Sequence, residues 1–131
     1  SAKNFSSWAF EGPAASIRPE VKLLLVNMYN VGKPIVALCV SPILLALALP
    51  ELQLKLTLGN TNEASPYDIQ GFHDGVATKG AHPQECQLGS VLIDTENRII
   101  TAPCYMMEAS LLQVEQNIKE AFRALSTLLE S

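Results

Sequence analysis

The chain has 131 residues, 48% of them hydrophobic and 17% charged, with a net charge of -4 at pH 7. That is one domain with ample core material, and so few charges imply that part of its surface is covered by something else. An acidic balance, a pI near 5.1 and lysines scattered along the chain exclude an electrostatic grip on nucleic acid or anionic lipid.

The start, Ser1-Ala2-Lys3-Asn4-Phe5, has no charged-then-apolar signal pattern and no initiating methionine, so the chain is processed or continues upstream. A polar lead-in ends at Pro13. Pro19 and Glu20 then open a helix in which Val21, Leu24, Leu25 and Met28 recur at helical spacing, with Gly32 as its C-cap. Ile35–Leu38 is a short, partly β-branched run and reads as a fully buried strand. The apolar stretch from Ile35 to Leu49 is too short for the ~20 residues of a membrane span, and Pro42 interrupts it. A second helix runs instead from Pro42 to Leu49 and stops at Pro50.

Lys55–Leu58 reads as a strand, Gly59–Asn62 as a polar loop and Tyr67–Phe72 as a weak helix. Ser90–Asp94 and Arg98–Ala102 alternate on either side of the turn Asp94–Asn97, which predicts a hairpin. A long amphipathic helix from Ser110 to Leu129 places Leu111, Val114, Ile118, Phe122, Leu125 and Leu129 on one face. This order predicts a single α/β layered domain over residues 1–131, its mostly parallel sheet covered on both faces.

The three cysteines, Cys39, Cys86 and Cys104, form neither a CxxC pair nor an even set, which suits a reducing compartment. Cys39 falls where the buried strand gives way to a helix. A nucleophile elbow has that geometry, and N–H groups at the helix start would lower the thiol pKa and hold an oxyanion. The competing reading is an inert buried cysteine. Any thiol–imidazole pair must use His73 or His82, the chain's two histidines. Cys104, after the hairpin, either approaches the same pocket or packs; Cys86 has no distinguishing context. With no GxGxxG, Walker loop or metal-spaced cluster, neither a cofactor nor a metal is expected.

Several segments together carry a family resemblance: SAKNFSSWAFEG, VGKPIVALCVSP, KLTLGN, GAH and IDTENRIITAPCYM, in that order. They resemble the ElbB-like family of isoprenoid-biosynthesis-associated, glyoxalase-like proteins, within the ThiJ/PfpI, class I glutamine-amidotransferase-like superfamily. The resemblance runs from Ser1 to the C-terminal helix and implies a flavodoxin-like three-layer sandwich with Cys39 at the nucleophile elbow. His82 matches the family's histidine position, and Lys3, Asn4, Val40 and Cys104 are implied to line the substrate pocket. Relatives carry a further N-terminal portion, with a first strand bearing an acidic residue and a Gly-Gly-Phe-Gly stretch before the AKN. Val40 also follows the cysteine where many superfamily members have histidine.

The expectation is therefore a cysteine enzyme, glyoxalase-like or amidotransferase-like, acting on small carbonyls such as methylglyoxal in a mitochondrial matrix or bacterial cytoplasm. The alternative is an inactive member serving as a subunit of a larger assembly. Without the family's first strand, Ile35–Leu38 is expected to have an open edge, so the chain alone should be insoluble, molten or associated.

Overall fold

The computed structural model describes residues 5–130, without the side chains of Phe10 and Pro13. Lys3 and Asn4 lie outside the described residues. A short helix α1 (Trp8–Glu11) and a 3-10 turn lead into α2 (Pro19–Asn30), then β1 (Ile35–Leu38) and α3 (Pro42–Ala48). β2 (Lys55–Leu56), α4 (Ile69–Thr78) and β3 (His82–Pro83) follow, then β4 (Leu92–Asp94), β5 (Ile99–Ala102) and α5 (Leu111–Leu129).

β1 pairs in parallel with β5, in the register Ile35 to Ile99 and Leu38 to Ala102, and β5 pairs antiparallel with β4. β2 and β3 form a separate parallel pair. The sheet order β1-β5-β4 leaves β1 at an edge, with no strand on its outer side among the described residues.

The strands divide two cores. Ile35, Ala37 and Ile99 point to a cluster built with α3, α4 and β2, where Leu45, Leu54, Leu56, Leu58 and Val76 are nearly inaccessible. Val36, Leu38, Ile100 and Ala102 face the opposite side, against Ala121, Ala124 and Leu128 of α5. A strand buried on both faces cannot alternate polar and apolar residues, which is why IVAL is unbroken. The result is the three-layer, mostly parallel α/β sandwich that the sequence implies.

Three local expectations need correction. First, the face of α5 is rotated from the one predicted. Val114, Asn117, Ala121, Ala124 and Leu128 are buried, whereas Leu111, Phe122 and Leu129 are exposed. Small alanines let the helix approach Ile100 and Ala102, and Asn117 donates to the Ser90 carbonyl at 2.8 Å, so bulky residues stand off the contact. Second, α2 has no buried residue, and Leu24 is 58% exposed.

Third, the strand predicted over Lys55–Leu58 pairs only through Leu56. The next two N–H groups turn to side chains: Thr57 donates to Thr101 Oγ1 at 3.0 Å and Leu58 to His73 Nε2 at 3.1 Å. The weak helix begins at Ile69, capped by Asp68, and runs past Phe72 to Thr78. The two-residue β3 has no periodicity to reveal it in the sequence. α5 carries the full Ser110/Gln113 capping box, and Gly32, at φ 76°, sits one residue beyond the Val31 cap of α2.

Candidate functional site

β1 carries the chain outward to Cys39, where the backbone must reverse before Pro42 can begin α3. Cys39 takes φ 60°, in the left-handed region that costs a side-chain-bearing residue about 1–3 kcal/mol. The strain is held on both sides. The Cys39 N–H still bonds to the Ala102 carbonyl of β5 at 3.2 Å, and Ser41 N–H returns to the Leu38 carbonyl at 3.0 Å. The Ser41 hydroxyl also donates to that Leu38 carbonyl. This is the strand–turn–helix elbow expected from the sequence.

The half-buried Cys39 thiol lies 3.8 Å from the Met106 thioether. Burial pushes its pKa up, and the Val40 N–H beside it opposes that only in part. The lowered thiol pKa expected of a helix start is therefore not found: the one opposing amide is that of Val40, in the turn before α3, and burial outweighs it. Cys104 lies two residues past the end of β5 and is 1% exposed; its pKa is also raised by burial, against the Cys39 backbone N–H that faces its sulfur. The structure thus brings together Cys39, Val40 and Cys104, and adds Met106, which the sequence reading missed. The Cys-Tyr-Met run at 104–106 was its only signal.

The histidines stand apart from this group. His73 is buried on α4, and burial lowers its pKa below the usual histidine range. Its Nε2 accepts the Leu58 N–H, so the ring is neutral with its proton on Nδ1. His82 is exposed in β3, which pairs with β2. Among the described residues, neither imidazole is hydrogen-bonded to a cysteine.

Cys86 is buried elsewhere, its N–H on the Gly59 carbonyl, and burial with the Glu63 carboxylate pushes its pKa to about 11. The polar loop after β2 is a structural clamp. Asn60 donates to the Cys86 carbonyl at 3.1 Å and its own side-chain oxygen accepts the N–H groups of Asn62 and Glu63. No group of three or more His, Cys, Asp or Glu among the described residues is arranged to hold a metal ion.

No protein-family model matches the chain. It is 27% identical over 118 residues to the human mitochondrial glutamine amidotransferase-like class 1 domain-containing protein 3, covering 89% of this chain and 43% of that protein. The rat mitochondrial ES1 protein homolog is 28% identical over 120 residues, 89% of this chain and 44% of its own length. A crystal structure of an isoprenoid biosynthesis protein with amidotransferase-like domain, from Ehrlichia chaffeensis, superposes on 97% of this chain and 54% of its own with a TM-score of 0.78 at 28% identity.

The chain is similar in sequence and in fold to proteins described as amidotransferase-like. The resemblance read from its motifs is borne out, and so is the flavodoxin-like α/β fold. The chain spans less than half the length of the curated relatives it matches. Those relatives are mitochondrial and the solved neighbour is bacterial, in keeping with the compartments named above. Among the described residues, no helix is long and apolar enough to cross a membrane.

Proposed function

We propose that this amidotransferase-like chain is the cysteine-bearing part of a glyoxalase-like enzyme acting on small reactive carbonyls such as methylglyoxal. The observation that carries the reading is Cys39 itself: a side-chain-bearing residue held at φ 60° at the carboxyl end of a buried strand. Backbone strain of this kind persists where surrounding structure enforces it, and it concentrates at reactive centres.

In the proposed reaction the Cys39 sulfur adds to the aldehyde carbon. An S–C bond forms, the carbonyl π pair moves to oxygen, and oxygen takes up the thiol proton to give a hemithioacetal. A base then moves the proton from that carbon to the neighbouring ketone carbon, leaving a thioester that water cleaves to a 2-hydroxy acid and free thiol. The base comes from a group other than His82, whose register through Lys55, Asp94 and Ile99 sets it at the opposite end of the strands from Cys39. Val40 and Cys104, with Lys3 and Asn4, are the proposed substrate contacts. Because the thiolate is the attacking form and burial raises the Cys39 pKa, the addition is expected to quicken as pH rises.

The test is NMR detection of the 2-hydroxy acid from methylglyoxal with the natural protein. Loss of product in Cys39→Ser, with product retained in Cys86→Ser, supports the reading. Equal turnover in Cys39→Ser overturns it.

A second reading, an inactive subunit of a larger assembly, has its own support in the open outer edge of β1. Unpaired strand edges attract added strands. An oligomer seen by native mass spectrometry, together with no turnover, would favour it.

A further inference from the structure

We propose that Cys39 and Cys104 are a redox couple that closes to a disulfide between the carboxyl ends of β1 and β5. The proposal does not depend on Cys39 being catalytic, because its readout is the linkage itself. The register that matches Leu38 with Ala102 sets Cys39 beside Pro103, and Cys104 is the next residue. Neighbouring strands run about 4.8 Å apart, and disulfide-linked Cα atoms stand about 4.4–6.8 Å apart. The Cys39 backbone N–H faces the Cys104 sulfur, which sets that sulfur beside the elbow. Among the described residues, all three cysteines are free thiols.

The two thiols differ in access. Cys39 is half-buried and Cys104 almost wholly buried, so an incoming oxidant meets Cys39 first. With a hydroperoxide, the Cys39 thiolate attacks the distal oxygen: an S–O bond forms, the O–O bond breaks, and the alkoxide leaves and is protonated to an alcohol. Cys104 thiolate then attacks the Cys39 sulfur. An S–S bond forms, the S–O bond breaks, and hydroxide leaves to become water. Two thiols are oxidised while one hydroperoxide is reduced. The contact between the Cys39 thiol and the Met106 thioether, at 3.8 Å, is weak. Burial keeps both thiols protonated near neutrality, so the reaction accelerates with rising pH.

The experiment treats the natural protein with one equivalent of hydrogen peroxide, alkylates under denaturing conditions, and maps non-reduced peptides by mass spectrometry. The expected result is a Cys39–Cys104 cross-linked peptide, loss of both thiols from alkylation, Cys86 still alkylated, and full recovery after a dithiol reductant. In Cys104→Ser the disulfide is replaced by a Cys39 sulfenic acid that dimedone traps. A Cys39 sulfinic acid with Cys104 still alkylatable overturns the proposal, as does a link through Cys86 or between two copies through Cys39. The unsubstituted protein alone decides between these outcomes, so the proposal survives a variant that fails to fold.

Discussion

The thiol of Cys39 stands 3.8 Å from the thioether of Met106, across the gap between the β1–α3 elbow and the segment after β5. A thioether neither donates a proton nor carries charge, so it gives a thiolate little help. The elbow therefore holds a thiol in a strained backbone but in apolar surroundings.

Its reactivity should accordingly depend on pH. Burial is the leading cause of the raised pKa, so alkylation of Cys39 is slower at pH 7 than that of a free thiol and climbs steeply above pH 9. Met106→Leu keeps the volume and removes the sulfur. Stopped-flow alkylation should give the same pH profile for both proteins; a profile shifted by Met106→Leu would assign the effect to sulfur contact instead of burial.

The strain itself is measurable. Glycine adopts φ 60° freely, so Cys39→Gly should be more stable than Cys39→Ala by about 1 kcal/mol in urea unfolding. An alanine variant at least as stable as the glycine one would mean that the elbow stores no backbone strain.

His73 should act as an acid-sensitive strut. Its folded pKa lies below the unfolded value of 6.5, because burial and the Leu58 N–H favour the neutral ring, with Glu85 and Asp74 opposing in part. A depressed folded pKa gives stability that is full above pH 6.5 and is lost as pH falls through the folded pKa. His73→Gln, which can accept the Leu58 N–H without titrating, should flatten stability as pH falls below 6.5. Unchanged acid sensitivity in that variant would exclude His73 as its source.

Asp94 and Thr101 should hold the β2 segment to the hairpin. The buried Asp94 carboxylate accepts the Lys55 N–H at 2.9 Å as well as the Asn97 backbone N–H and side-chain amide. Thr101→Val leaves the buried Thr57 N–H without its acceptor and should cost about 1–3 kcal/mol; Asp94→Ala should cost as much or more. Denaturant midpoints check both, and near-neutral values would show that water takes over these N–H groups.

Much of this architecture was legible in the sequence because burial leaves a strong imprint. The unbroken IVAL, the prolines at 19 and 42, the hairpin turn and the amphipathic run from Ser110 all mark their elements. The elbow at Cys39 followed from that order. What stayed hidden depends on contacts between distant residues. Nothing in the KLTL run shows that Thr57 and Leu58 will bond to Thr101 and His73, or that alanines and Asn117, not Phe122, will meet the sheet. The thiol pKa is of the same kind, since its direction is set by how tightly Met106 and the core close over it.

The account's central claim is that Cys39 is the chain's reactive thiol. Limiting iodoacetamide on the folded protein at pH 8.5, followed by peptide mapping, tests it most directly, because Cys86 and Cys104 are buried. The account predicts that Cys39 is alkylated first, with Cys86 slowest. Alkylation of Cys86 or Cys104 while Cys39 stays protected would contradict it.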